Sequence, residues 1–358
     1  MFMTESIGYA HQLHRRSPAS GANLDVLVAG RLFYEIVFGG IPKLPGKGEE
    51  IYASDFVTCP GGAANRAVAC ARLGLPTRIS TAFGGDLEGD YCWSFLLAEG
   101  IDLSASRRYP NWRTPVTVSA AFDRDRAMLT HASAPPDSYF AGLHDECESG
   151  SVLVEIDPLN EMSLPNEIWL KAAREADAKI FATASFDSTG RWPVGLLSQL
   201  GGLHAMLLNE TEALRYTGTE SVTRALGALS DIVPLVVITR GASGAIAHDA
   251  VTGETAEVPA LRTAVRDATG AGDVFAGAIV YGTLHAWPLS QCLAFGSLCS
   301  HLAIQQIGSS VSCPTWKDIR DWWSRIAREI AGDNSTEAIA IRDRYNFLKD
   351  LDAAPADL

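Results

Sequence analysis

The chain has 358 residues, 47% of them hydrophobic and 20% charged, and a formal net charge of −13. Such a composition supports a globular fold with ample core material, and it excludes a nucleic-acid partner, which needs clustered Lys and Arg to neutralise phosphates. Seven cysteines without any Cys-x-x-Cys spacing argue against a disulfide framework or a zinc site, and for reduced, mostly buried thiols.

In chain order, residues 1–22 read as an extension with no apolar run of signal-peptide length, so a cytoplasmic protein is expected. Residues 24–30, LDVLVAG, read as a short, fully buried strand stopped by Gly30. Segments 34–60 and 112–133 look like antiparallel hairpins, the second with a charged turn at 123–126; together they read as a small β lid. Between them lie a helix of small residues (61–74), a strand (77–84) and a second helix (89–100). Strand candidates follow at 151–158, 178–187, 204–210 and 233–241, each separated from the next by a helix-length segment. This alternation predicts an α/β fold with a mostly parallel sheet covered by helices on both faces. From Val274 to Trp316 there is no Asp, Glu, Lys or Arg, but Pro288, Gly277, Gly282 and Gly296 interrupt the run. Two buried helices are expected there, not a membrane span. The organisation expected is one α/β domain over 23–332, followed by a helical extension over 333–358.

The stretch DATGAGDVFAGAIVYG (267–282) calls for a chemical explanation. A glycine-rich turn opening a helix is an anion site, because the first N–H groups have no partner within the helix and the dipole adds partial positive charge. Gly270, Ala271 and Gly272 let a phosphate approach the backbone closely. Asp273 then reads in two ways. It caps the helix, or it is a base that deprotonates a hydroxyl while the turn holds a transferring phosphoryl group. A capping Asp does not require three small residues before it. Asn209 and Glu212 likewise read as a capping box, and the same pair can face a metal.

DATGAGDVFAGA resembles the second signature of the ribokinase-like (PfkB) family of carbohydrate and nucleoside kinases. Five further segments resemble that family's pattern in order: PGGAANRAVACARLG (60–74), FGGDLEGDYCWSFLLAEGID (83–102), NETEA (209–213), TRGASGA (239–245) and GSSVSCP (308–314). The resemblance implies a ribokinase-like three-layer α/β sandwich with a mostly parallel central sheet and a small β lid. It implies ATP-dependent phosphorylation of a hydroxyl on a small sugar-like substrate, with Asp273 as base and Gly270, Ala271 and Gly272 as anion hole. Asn209, Thr239, Gly241, Gly244 and Gly272 would contact ATP, and Asn209 and Glu212 would organise Mg²⁺, partly through water. Glu35, Gly61, Gly62, Asn65 and Glu155 would face the acceptor, and Asp187 more weakly. Asp267 and Ser312 would contribute to a monovalent cation site for K⁺; read from the residues alone, Asp267 ends a strand and bonds nearby backbone.

One position departs from the family pattern. An Asp usually lies five residues after the glycine that ends the first strand, and here Glu35 stands there, one methylene longer. A hexose, a ketose, a sugar acid and a nucleoside therefore all remain open as acceptors. An adenosine-like nucleoside kinase is one alternative, and a catalytically silent ligand-binding protein on the same fold is another. A dinucleotide-binding enzyme is opposed by the lack of G-x-G-x-x-G after the first strand. The family's lids often pair between subunits, so a homodimer through the lid is a further expectation.

Overall fold

The computed structural model describes residues 25–122, 125–136, 150–156, 171, 173–187, 189–193 and 202–351. The expected extension at 1–22 lies outside them. The strands are β1 (Val26–Ala29), β2 (Leu32–Gly39), β3 (Asp55–Gly62), β4 (Thr77–Ser80), β5 (Ala82–Gly84), β6 (Arg107–Tyr109), β7 (Val116–Phe122), β8 (Asp125–His131), β9 (Ser151–Ile156), β10 (Lys179–Ala184), β11 (Ala205–Asn209), β12 (Leu235–Thr239), β13 (Ala245–Asp249) and β14 (Thr255–Val258). The helices are α1 (Ala63–Arg72), α2 (Leu87–Ala98), α3 (Glu210–Thr217), α4 (Val222–Ser230), α5 (Ala271–Leu284), α6 (Leu289–Ala303), α7 (Trp316–Glu329) and α8 (Thr336–Tyr345).

An eight-stranded sheet in the order β14-β13-β12-β11-β10-β9-β1-β4 forms the centre. It is parallel from β4 to β12, and β13 and β14 add an antiparallel edge. Helices cover both faces, as β1 shows. Its four side chains are fully buried, yet Val26 and Val28 pack with α1, α5 and α6, whereas Leu27 and Ala29 pack with α3 and α4. Period-2 alternation sends neighbours to opposite faces, so a strand apolar throughout needs helices on each side. The fold is the expected three-layer α/β sandwich.

The two lid segments join in one sheet, β3-β2-β7-β8. Each hairpin is antiparallel, but β2 and β7 pair in parallel, so the hairpins fuse side by side. The uncharged run folds as α5 and α6, of 14 and 15 residues, packed against each other, with α5 also against α1. Among the described residues no helix is long and apolar enough to cross a membrane. The closing helix α8 is docked: Tyr345 is fully buried, with its ring 5.1 Å from that of Trp322 on α7.

The small residues of α1 have a packing reason. Ala63, Ala64, Ala67, Val68, Ala69 and Cys70 are all buried, and a Cβ added to Gly277 of α5 would lie 2.9 Å from the Ala69 Cβ. The two helices therefore meet almost backbone to backbone. Gly277→Val overfills this contact, and the expected loss is ~1–3 kcal/mol in urea unfolding. Unchanged stability would contradict the close approach.

Candidate active site

The residues singled out above gather at the carboxyl ends of the parallel strands. Glu155 lies near the end of β9, Gly30 just past β1, and Asn209 and Thr239 end β11 and β12 as register neighbours. From β1 the chain passes to β4 on one side and later returns to β9 on the other. The crevice between β1 and β9 is thus the topological switch point, where open α/β sheets bind ligands.

Helix α5 aims its N-terminus at this crevice. Its N-cap is Gly270, left-handed at φ 76°, with no side-chain cap. A Cβ there would lie 3.0 Å from the Ser309 Cβ, so the position is restricted by both backbone and space. By contrast α2, α3, α4, α7 and α8 are capped by Asp86, Asn209, Ser221, Thr315 and Ser335. Asp273 occupies the third helical position, where a capping-box carboxylate would turn back on its own helix. Here it is held from outside instead. Oδ2 accepts from Asn65 Nδ2 at 3.0 Å, and Oδ1 accepts from Arg66 Nη1 at 2.7 Å.

Arg66, 2% exposed, also donates through Nη2 to Glu155 Oε2 at 2.8 Å, and Glu155 Oε1 accepts from Ser185 Oγ. One guanidinium thus joins two carboxylates from α5 and β9. Burial pushes the Asp273 carboxyl up and Arg66 pulls it back, with a net rise above the ordinary Asp value. Burial also opposes charge on Glu155, but Arg66 and Ser185 outweigh it and hold Glu155 below the usual range. The two carboxyls of the pair are thus shifted in opposite directions from their ordinary values. Arg66 itself is held firmly charged, because its two carboxylates outweigh the burial penalty.

Glu35, on β2 in the middle of the lid sheet, is 6% exposed, and its Oε2 accepts from Ser309 Oγ. A side chain at Gly61 would run into the Glu35 carboxylate. Burial raises the Glu35 carboxyl to about 7, with Asp273 and Asp267 adding to the rise and Ser309 opposing it. Gly62, the uncapped start of α1, adopts a left-handed φ of 63°. Asn65 Oδ1, although buried, has no hydrogen-bond partner.

At the other end of the crevice, Asn209 and Glu212 form a reciprocal capping box: Glu212 N donates to Asn209 Oδ1, and Asn209 N donates to Glu212 Oε2, each at 2.9 Å. Burial and the neighbouring Glu155 and Asp273 raise the Glu212 carboxyl to about 7. Gly241 opens and Gly244 caps a short 3-10 turn between β12 and β13, and a Cβ on Gly244 would strike the Val258 carbonyl. Arg240 in that turn reaches Ser243 O at 3.0 Å and Glu257 Oε1 at 2.6 Å, so it braces the hairpin.

Asp267 and Ser312 flank the loop beneath Gly270. Asp267 accepts from Thr269 N and Oγ1 and from Gly308 N, and Ser312 Oγ donates to Ser309 O. Asp187 is not brought to the crevice by its side chain: it accepts from Thr189 and Trp192 in a local turn. Among the described residues no group of three or more His, Cys, Asp or Glu side chains is arranged to hold a metal directly. Sequence reading passed over Arg66, Ser185 and Ser309. The first carried a usable signal: α1 is apolar on all sides, so a charged residue in its middle has no wet face to occupy.

The chain matches the pfkB family carbohydrate kinase over residues 30–316. It is 25% identical to a ribokinase of Lactococcus lactis, with 78% of this chain and 90% of the relative covered. It is 28% identical to a cytidine kinase of Thermococcus kodakarensis, with 67% and 86% covered. The solved structure of Arabidopsis thaliana ribokinase complexed with ribose and ATP superposes with a TM-score of 0.68 at 25% identity, covering 84% of this chain and 98% of that one.

The raised Glu35 carboxyl has a consequence for stability. Its folded value of about 7 lies above the ordinary 4.5, so the folded state holds the proton more tightly. This group's contribution therefore falls as pH rises from about 4.5 through 7 and stays low above that. Glu35→Gln removes the titration. Relative to the parent, the variant should gain stability between pH 5 and 8 in urea unfolding, and a constant difference across that range would contradict the assignment.

Proposed function

The chain belongs to the pfkB family of carbohydrate kinases, ATP-dependent phosphotransferases, and on that premise we propose that it phosphorylates a sugar hydroxyl with Asp273 as base. The observation that carries this reading is the Asp273 carboxylate, held by α1 at the uncapped start of α5 instead of capping its own helix. In this reading the carboxylate beside the anion hole is the base. It takes the proton from the acceptor hydroxyl as that oxygen bonds to the γ-phosphorus and the bond to the ADP oxygen breaks. The backbone N–H groups at Gly270, Ala271 and Gly272 stabilise the charge on the transferring group.

The acceptor fits between α1 and the lid. Asn65 Oδ1 is a buried acceptor without a partner and suits a second substrate hydroxyl. Glu155 supplies a charged acceptor on the β9 side, and Gly61 leaves the space that the Glu35 carboxylate fills. Glu35 titrates near neutrality, so it can donate or accept a hydrogen bond to a hydroxyl. ATP lies towards Asn209, Thr239, Gly241, Gly244 and Gly272. The clustered Glu155, Glu212 and Asp273 carboxyls, with Glu212 driven up, suit a cation carried on the phosphates. Mg²⁺ would be held through water by Asn209 and Glu212 and would neutralise phosphate charge. At the expected K⁺ position, by Asp267 and Ser312, both Asp267 oxygens already accept hydrogen bonds from Thr269 and Gly308 that brace the loop, which does not favour a cation there. Exposed Phe56, Met128 and Leu129 on the edge strands of the lid sheet suit a homodimer through the lid.

Asp273→Asn keeps the shape and removes the base. Phosphoryl transfer should fall ~10²–10⁴-fold with MgATP binding little changed. Near-normal turnover would reject the base. An ADP-release panel of D-ribose, D-fructose, sugar acids and nucleosides with MgATP should show turnover on a sugar. Turnover confined to nucleosides, or sugar binding with no ADP release, would contradict the sugar-kinase reading.

A further inference from the structure

We propose that Arg66 is the positioning residue of the transfer centre: it clamps Asp273 and Glu155 to one guanidinium and so decides which Asp273 oxygen meets the acceptor hydroxyl. The inference rests on the reading of Asp273 as the base.

The geometry is specific to a forked cation. Nη1 reaches Asp273 Oδ1 at 2.7 Å and Nη2 reaches Glu155 Oε2 at 2.8 Å, from opposite sides of the crevice. A planar guanidinium spans two carboxylates, whereas an ammonium on a similar stem is a single point charge. The fold makes room for it. A Cβ on Gly30 would lie 3.1 Å from Arg66 Nη2, so the end of β1 is open where the guanidinium lies. Stability does not account for the arrangement, because a buried ion pair gains little over well-packed apolar side chains of the same volume.

The two Asp273 oxygens are thereby made unequal. Oδ1 carries the shorter, charge-assisted bond from Arg66, and Oδ2 only the amide bond of Asn65 at 3.0 Å. The proton from the acceptor hydroxyl goes to Oδ2, whose remaining lone pair is free of the guanidinium. Arg66 also opposes the burial that raises the Asp273 carboxyl. Asp273 is faced by Asn65 and Arg66 from α1, Glu155 from β9, Glu35 from β2, Glu212 from α3 and the Cys313 thiol from the closing loop. Arg66 is the one cation in that set, while Arg31 acts on Glu155 and Arg126 on Glu35.

Arg66→Met and Arg66→Lys test this in the full chain. The first readout is the titration of the Asp273 carboxyl by ¹³C NMR, assigned by its loss in Asp273→Asn. Arg66→Met should move that midpoint upward, and Arg66→Lys should leave it near the parent value. The second is turnover on the sugar that the ADP-release panel identifies. Arg66→Met should lower kcat by ~10²-fold, the scale of a misplaced reacting group, with the KM for MgATP little changed. Arg66→Lys should lose most of kcat as well, because it keeps the charge and loses the fork. An unmoved midpoint in Arg66→Met, or full kcat in Arg66→Lys, overturns the proposal; the lysine variant decides the matter if the methionine variant does not fold. An active Asp273→Asn enzyme would instead overturn the base itself, so the two failures are distinguishable.

Discussion

A charged guanidinium sealed inside a protein must be paired, and the pairing of Arg66 with Asp273 and Glu155 is the constraint around which the crevice is built. The small residues of α1 let that helix press against α5 and β1, which leaves Arg66 no route to water. Breaking such a buried group costs far more than the pair contributes, about 3–5 kcal/mol when one partner is removed. The same contacts fix the start of α5 relative to the ends of β1 and β9. Binding geometry and packing are thus one arrangement.

The lid is tied to this centre through the closing loop. Ser309 donates to Glu35 on β2, Ser310 donates to the Pro60 carbonyl on β3, and Gly308 donates to Asp267 before the turn that opens α5. Ser309 also lies against Gly270 itself. A shift of the lid sheet is therefore felt at the turn that opens α5. The coupling is electrostatic as well as steric: Glu35 and Glu212 are both raised to about 7 by burial, and Asp273 adds to the rise of each. Both carboxyls are thus coupled electrostatically to the same aspartate.

Much of this was legible because it depends on local rules. The buried strand LDVLVAG, the βαβ alternation and the uncharged helical pair are patterns of period and composition, and they appear as β1, the central sheet, α5 and α6. The turn at 267–273 declares itself because a capping Asp does not by itself require three small residues before it. Asn209 and Glu212 were read as a capping box, and one forms. What stayed hidden depends on contacts distant in sequence. Arg66 meets a residue 207 positions away, and Ser309 meets Glu35 across 274. The parallel union of β2 with β7 could not be read from hairpins taken singly. Asp187 looked polar and near the acceptor, but its carboxylate serves its own turn.

A crystal structure of the ternary complex, with the acceptor sugar and a non-hydrolysable ATP analogue, tests the account most directly. It should place the acceptor hydroxyl ~2.6–3.2 Å from Asp273 Oδ2, with Oδ1 still paired to Arg66 and the terminal phosphoryl group over the backbone of Gly270, Ala271 and Gly272. A hydroxyl facing some other group, or an Asp273 released from Arg66 on binding, would contradict it.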